Sequence, residues 1–219
     1  MNYKISERLH SDHIDNLQSN RICTDKSDIL DQTINHLLET SSSWLTIGDM
    51  IGSEAYYLKS HNQHAIASDL SDRFLRDNKN IDGYNVINAE DIKYPDDSFD
   101  YVLCKLSLHH FARPYRAIYE MLRIAKKGII IIEPVDPLSV SPALLFLKVY
   151  LPGLMRLLWK NRISYESVGN YIFKISEREI EKICRAMFIE SFSCKKIMIH
   201  NNLHLSCIIE HIPPQPNTK

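Results

Sequence analysis

Short stretches of this 219-residue chain carry residue types at spacings that can do chemistry. Gly48-Asp49-Met50-Ile51-Gly52 follows one apolar run and opens a helical one. Glycines there let the backbone turn tightly and approach a ligand without a Cβ in the way. A helix start adds N–H groups and positive dipole suited to a carboxylate or phosphate; a turn without function has the same spacing. Asp69 closes the next apolar run. A carboxylate at that place accepts hydrogen bonds from both hydroxyls of a ribose in nucleotide cofactors. It can equally cap the next helix, because Asp69-Leu70-Ser71-Asp72 offers several capping types. His109 and His110 come after a fourth run, and Glu133 and Asp136 after a fifth. Imidazole titrates near neutrality and serves as a general base when a carboxylate orients it.

These residues need a frame that gathers them. The apolar runs are Trp44 to Ile47, Ala65 to Ala67, Tyr84 to Ile87, Phe99 to Cys104 and Gly128 to Ile132. Helical spacing separates some of them, over Ser53 to Lys59 and again over Arg116 to Ala125. Short, nearly continuous apolar strands alternating with helices specify an α/β fold, a doubly wound and mostly parallel sheet covered on both faces. In such a sheet ligands bind beyond the carboxyl ends of the strands, where strand order reverses. That rule selects the residues named above. Earlier, Ile29, Leu30, Ile34, Leu37 and Leu38 mark a helix, so residues 1–43 read as a helical lead-in to a domain over 44–219. Near the end, Glu177 to Met187 reads as a helix with a capping box from Ser176 and Glu179. Lys195 to His200 and Leu205 to Glu210 read as closing strands.

Composition narrows the function. Lys and Arg total 26 against 27 Asp and Glu, a formal net charge of -1, which lacks the basic excess of a nucleic-acid binder. The five cysteines include no C-x-x-C pair, so reduced, mostly buried thiols are expected, with neither a disulfide framework nor a metal site. No secretory leader and no uncharged apolar run of spanning length is apparent, and a cytoplasmic location is expected.

The layout suits two cofactor classes, nicotinamide dinucleotides and S-adenosylmethionine. A dinucleotide site prefers three glycines in G-x-G-x-x-G, and only two are present. The middle of the chain separates the classes. Ala89-Glu90-Asp91-Ile92-Lys93-Tyr94-Pro95-Asp96-Asp97-Ser98-Phe99-Asp100-Tyr101-Val102 resembles the class I S-adenosylmethionine-dependent methyltransferases, many of which read A-E-D-L-P-F-P-D-x-S-F-D-x-V there. The likeness runs on through Ser107-Leu108-His109-His110-Phe111, Glu120-Met121-Leu122-Arg123 and Lys126-Lys127-Gly128 to Glu133-Pro134. It covers roughly residues 44 to 134.

The resemblance implies a Rossmann-like, seven-stranded methyltransferase fold and S-adenosylmethionine as cofactor. It also implies a helical lid insertion after the fifth strand, over residues 137–174. The glycine turn would hold the methionine end, through Gly48 and Gly52. Thr46 stands where the family has an acid and Met50 where it has its middle glycine; Asp49 is the candidate for the missing carboxylate. Asp69 would bind the ribose and Asn88 the adenine amino group. Ala89 would contribute backbone, Leu70 and Ile92 would flank the ring, and the backbone at Cys104 and Lys105 would line the methionine arm. Leu70 and Ile92 are equally readable as core residues. His110 or His109 is expected as the base, oriented by Asp136; packing and capping is the competing role. The expected reaction moves a methyl group to a small-molecule acceptor, a hydroxyl oxygen of a sugar or secondary metabolite. The stretch 143–159 offers a membrane-surface alternative for a lipid acceptor, and a homodimer is left open. A non-catalytic protein serving a partner and an RNA or protein methyltransferase are the competing readings.

Overall fold

The computed structural model describes residues 27–135, 173–199 and 202–211, together with Ala143, Phe146, Tyr150 and Leu151. The elements are α1 (Ser27–Ile34), β1 (Ser43–Ile47), α2 (Ser53–Ser60), β2 (His64–Asp69), β3 (Tyr84–Val86), β4 (Phe99–Lys105), α3 (Pro114–Ile124), β5 (Ala125–Pro134), α4 (Glu177–Ala186), β6 (Ser191–Ile199) and β7 (Asn202–Glu210). The strands form one seven-stranded sheet in the order β3-β2-β1-β4-β5-β7-β6. Pairing is parallel from β3 through β5. It turns antiparallel where β7 joins β5 and β6 joins β7. Strand order reverses between β1 and β4, which places the switch point at their carboxyl ends.

Alternation along the strands sorts the core into two layers. Leu45, Ile47, Val102, Cys104, Ile129 and Ile131 share one cluster with Ala117, Ile118 and Met121 of α3 and Ile180 and Ile183 of α4. Their neighbours Trp44, Tyr101, Leu103, Ile130 and Ile132 share the other with Ile29, Leu30 and Ile34 of α1 and Ala55 and Leu58 of α2. A strand sends successive side chains to opposite faces, so a run such as Ile129–Ile132 supplies both layers at once. The lead-in helix is thus part of the domain's core. On α4, the Ser176 hydroxyl accepts from the Glu179 N–H while the Glu179 carboxylate accepts from the Ser176 N–H, the expected capping box.

The cysteines differ from expectation. Cys194 and Cys207 face each other across β6 and β7 and form a disulfide, with Cα atoms 4.2 Å apart. Directly opposed positions of an antiparallel pair come this close only once the register is set. Cys104 and Cys184 are buried free thiols. The lid expected at 137–174 lies outside the described residues, apart from Ala143, Phe146, Tyr150, Leu151, Phe173 and Lys174. Among the described residues no helix is long and apolar enough to cross a membrane.

Candidate active site

The turn from β1 into α2 is built around its glycines. Gly48 and Gly52 both have left-handed backbones, φ +70° and +76°. A Cβ on Gly48 would lie 2.4 Å from the Ser107 Cβ, so only glycine lets the ends of β1 and β4 approach this closely. Met50 is not among the residues with positive φ, so methionine at that place imposes no left-handed strain. The connection 70–83 is built of turns, and its Asn78 side chain donates to the Ile51 carbonyl of the glycine turn at 2.7 Å.

Beneath this turn lies a buried charged cluster. Asp49 Oδ2 accepts from the Thr46 hydroxyl and from the Ala55 N–H, each at 2.9 Å. Oδ1 is buried and meets no hydrogen-bond donor among the described residues. Burial first, and then the Glu54 carboxylate, push the Asp49 carboxyl well above the usual carboxylate range. Glu54, in the first turn of α2, pairs in turn with the ammonium of Lys105, whose side chain is 1% exposed. Lys105 ends β4, and its side chain is therefore committed to the protein interior.

The other half of the rim holds the histidines. Leu106 adopts a left-handed φ of 55°, unusual for a branched side chain, and the chain then enters a 3-10 turn over Leu108–His110. Glu133, 1% exposed near the end of β5, organises that turn. Its Oε1 accepts from the N–H groups of Ser107 and Leu108 at 2.9 and 2.7 Å. Its Oε2 lies 2.5 Å from His109 Nδ1. The Ser107 hydroxyl donates to the Gly48 carbonyl at 2.8 Å, which ties the histidine turn to the glycine turn. The His110 ring sits against that of His109, centroids 4.0 Å apart. Asp136, expected to orient the base, lies outside the described residues. The carboxylate that holds His109 is Glu133.

Asp69 is buried at the carboxyl end of β2, where Oδ1 accepts from the Ser71 N–H at 3.1 Å, the local capping role that its sequence context allows. Asn88 Oδ1 likewise accepts from the Glu90 N–H at 3.0 Å. Ala89 and Ile92 belong to the core cluster beneath α3, whereas Leu70 is half-buried.

The A-E-D and E-M-L-R residues form a clamp behind the rim. Buried Glu90 accepts from the Arg113 N–H and side chain at 2.8 and 2.6 Å. Glu120 accepts from the Ile92 N–H at 2.9 Å and pairs with Arg123. Arg123 donates also to the carbonyls of Ile92 and Tyr94, both at 2.8 Å, and to Asp96. This clamp fixes the 89–96 segment against α3. Glu54 and Glu90 were not among the expected site residues, and Glu133 was expected with Asp136 as an acid closing the fifth run but without a role of its own. Their signal was an acid closing or flanking an apolar run, where an unpaired charge is costly.

The sheet order, the antiparallel seventh strand and the glycine turn at the switch point define a doubly wound domain of the nucleotide-cofactor type. Residues 45–132 match a family described as a methyltransferase domain. Over 132 residues the chain is 29% identical to a demethylmenaquinone methyltransferase of Clavibacter sepedonicus, covering 55% of this chain; the chain spans only 54% of that relative. Among solved structures it resembles an S-adenosylmethionine-dependent methyltransferase from Thermotoga maritima, at 19% identity and a TM-score of 0.56, covering 82% of this chain and 86% of the other. It also resembles one from Methanosarcina mazei, at 16% identity and a TM-score of 0.55, covering 81% and 95%. Residues 45–132 thus resemble a methyltransferase domain, and the described residues share the fold of solved S-adenosylmethionine-dependent methyltransferases.

Proposed function

We propose that the protein transfers a methyl group to a small molecule, with a hydroxyl oxygen of a sugar or secondary metabolite as the acceptor, and that His109 is the base. The contact between His109 Nδ1 and Glu133 Oε2 carries this reading. Two backbone N–H groups fix Glu133 through Oε1, which leaves Oε2 to His109 Nδ1. In the tautomer whose Nδ1–H donates to that oxygen, Nε2 keeps the lone pair. A lone pair fixed in direction at the carboxyl rim is what proton abstraction from an acceptor requires. Glu133 is the positioning residue, and His110 is the second candidate for the base. Asp136 is a further acid near this rim by sequence.

The residues present suit S-adenosylmethionine. Gly48 and Gly52 give the turn its left-handed backbone, Asp69 stands where a ribose would be held, and Asn88 with the Ala89 backbone stands on the adenine side. Asp49 Oδ1 is a buried acceptor without a donor, suited to the α-ammonium in place of the acid that Thr46 lacks. The bound cofactor supplies an electrophilic methyl group on a sulfonium. The protein's part is to align the acceptor and remove its proton. The similarity to a demethylmenaquinone methyltransferase supports a small-molecule acceptor.

A screen of hydroxylated metabolites and quinols with labelled donor tests the reading. With an acceptor in hand, His109→Gln is expected to lower kcat by about 10²- to 10⁴-fold while leaving donor affinity intact. Glu133→Gln is expected to shift the pH profile of kcat rather than donor affinity. Full turnover in both variants would remove His109 from the chemistry.

A further inference from the structure

We infer that Asp49 and Glu54 together hold one proton beside the Lys105 ammonium, and that this proton departs when a cationic amino-acid tail docks against Asp49. The inference rests on the proposed docking of S-adenosylmethionine at the Gly48–Gly52 turn, and adds a charge exchange that the fold does not require.

Two carboxyls and one ammonium are shut away here: Asp49 is 2% exposed, Glu54 7% and Lys105 5%. With both acids ionised the cluster carries a net negative charge out of water, which burial disfavours. The hydrogen bonds show where a proton resolves this. Both Glu54 oxygens have donors, the Lys105 ammonium and the Ser53 hydroxyl. Asp49 Oδ2 has two donors, from Thr46 and Ala55. Asp49 Oδ1 has none, and the nearby Glu54 carboxylate is an acceptor. A proton on Asp49 turns that repulsion into a hydrogen bond and leaves the cluster neutral.

Apart from Lys105, the described groups around Asp49 are neutral donors, acids or an engaged histidine. Thr46 on β1 is a neutral donor, and Ser68 on β2 accepts from the Asp49 N–H through its carbonyl. Asp69 at the end of β2 and Glu133 on β5 are further acids. Burial, and the charges of Glu133 and Glu54, keep the Cys104 thiol neutral. His109 is engaged by Glu133. An arriving α-ammonium would be a second cation beside two carboxyls, and it would take over the role of the proton. Affinity for a ligand carrying that ammonium therefore falls as pH drops below the value at which Asp49 of the free protein protonates. The fall approaches about tenfold per pH unit. A nucleoside without the ammonium has no such dependence.

Calorimetry of the full chain tests this with S-adenosylhomocysteine and with 5′-methylthioadenosine, the same nucleoside without the amino-acid tail. Titrations run in pairs of buffers of different ionisation enthalpy between about pH 5 and 7, where the ligand's amine stays protonated. S-adenosylhomocysteine is expected to release up to about one proton per site at the acid end and 5′-methylthioadenosine none. Asp49→Asn is expected to bind S-adenosylhomocysteine without proton release. Equal release from both nucleosides at every pH would overturn the inference while leaving the cofactor assignment intact. Undiminished release from Asp49→Asn would overturn it too. Absence of heat from either nucleoside would remove the cofactor reading and the inference with it. The comparison of the two nucleosides needs only the native protein, should the variant fail to fold.

Discussion

Two acid–base constellations of this domain, one at the carboxyl rim and one toward the amino ends of β4 and β5, are built on opposite terms. In the latter, Glu120 and Arg123 meet in partial contact with solvent, each with several partners, and the neighbouring cation with backbone donation holds the Glu120 carboxyl below its ordinary value. Under the glycine turn, Asp49, Glu54 and Lys105 are buried together, and burial drives the Asp49 carboxyl the other way. The first arrangement satisfies every charge locally and holds a loop in place. The second leaves one carboxylate oxygen without a donor among the described residues. A satisfied network is scaffolding; an incomplete one at a switch point marks where a ligand is to complete it.

The contrast predicts different costs of damage. Lys105→Met strands Glu54 in the interior and is expected to lower unfolding free energy by about 3–5 kcal/mol in denaturant titration. Adding Glu54→Leu to it should restore most of the loss, since an apolar pair of similar volume carries no desolvation penalty. If the single variant is as stable as the native protein, the ion pair is not buried as described. Arg123→Ala is expected to cost less, about 1–3 kcal/mol, and to leave S-adenosylhomocysteine affinity near native. A large loss of affinity would place the clamp inside the site.

Stability against pH separates the two more finely. Glu120, lowered in the fold, contributes stability above its usual value of 4.5, and that contribution is lost as pH falls through the folded value. Asp49, raised in the fold, contributes most below its usual 3.8, and the contribution fades as pH rises toward the folded value. Glu120→Gln should flatten the acid limb of the stability curve, whereas Asp49→Asn should remove the decline on the other side. Identical curves for both variants and the native protein would erase the distinction.

Much of the fold was legible in the residues. The apolar runs ending at Ile47, Asp69, Cys104 and Ile132 mark the strands because buried parallel strands need apolar side chains on both faces. The A-E-D and E-M-L-R residues carry the resemblance to the family, and in the structure Glu90, Glu120 and Arg123 have a clamping role. Sequence spacing shows that residues belong together without showing what they touch. Glu133 illustrates the gap. It and Asp136 lie three residues apart in the sequence; His109 meets Glu133, and Asp136 lies outside the described residues. Glu54 falls in a helix start where a solvated acid is ordinary; its burial depends on Lys105, which is remote in sequence. The Cys194–Cys207 bond is likewise invisible to local spacing, because it comes from the register of β6 on β7.

The most direct measurement is a crystal structure of the full chain grown with S-adenosylhomocysteine. The amino-acid tail is expected against the Gly48–Gly52 turn with its ammonium on Asp49, the ribose on Asp69, and His109 still held by Glu133 at the rim. A ligand bound elsewhere, or a tail whose ammonium ignores Asp49, would contradict this assignment.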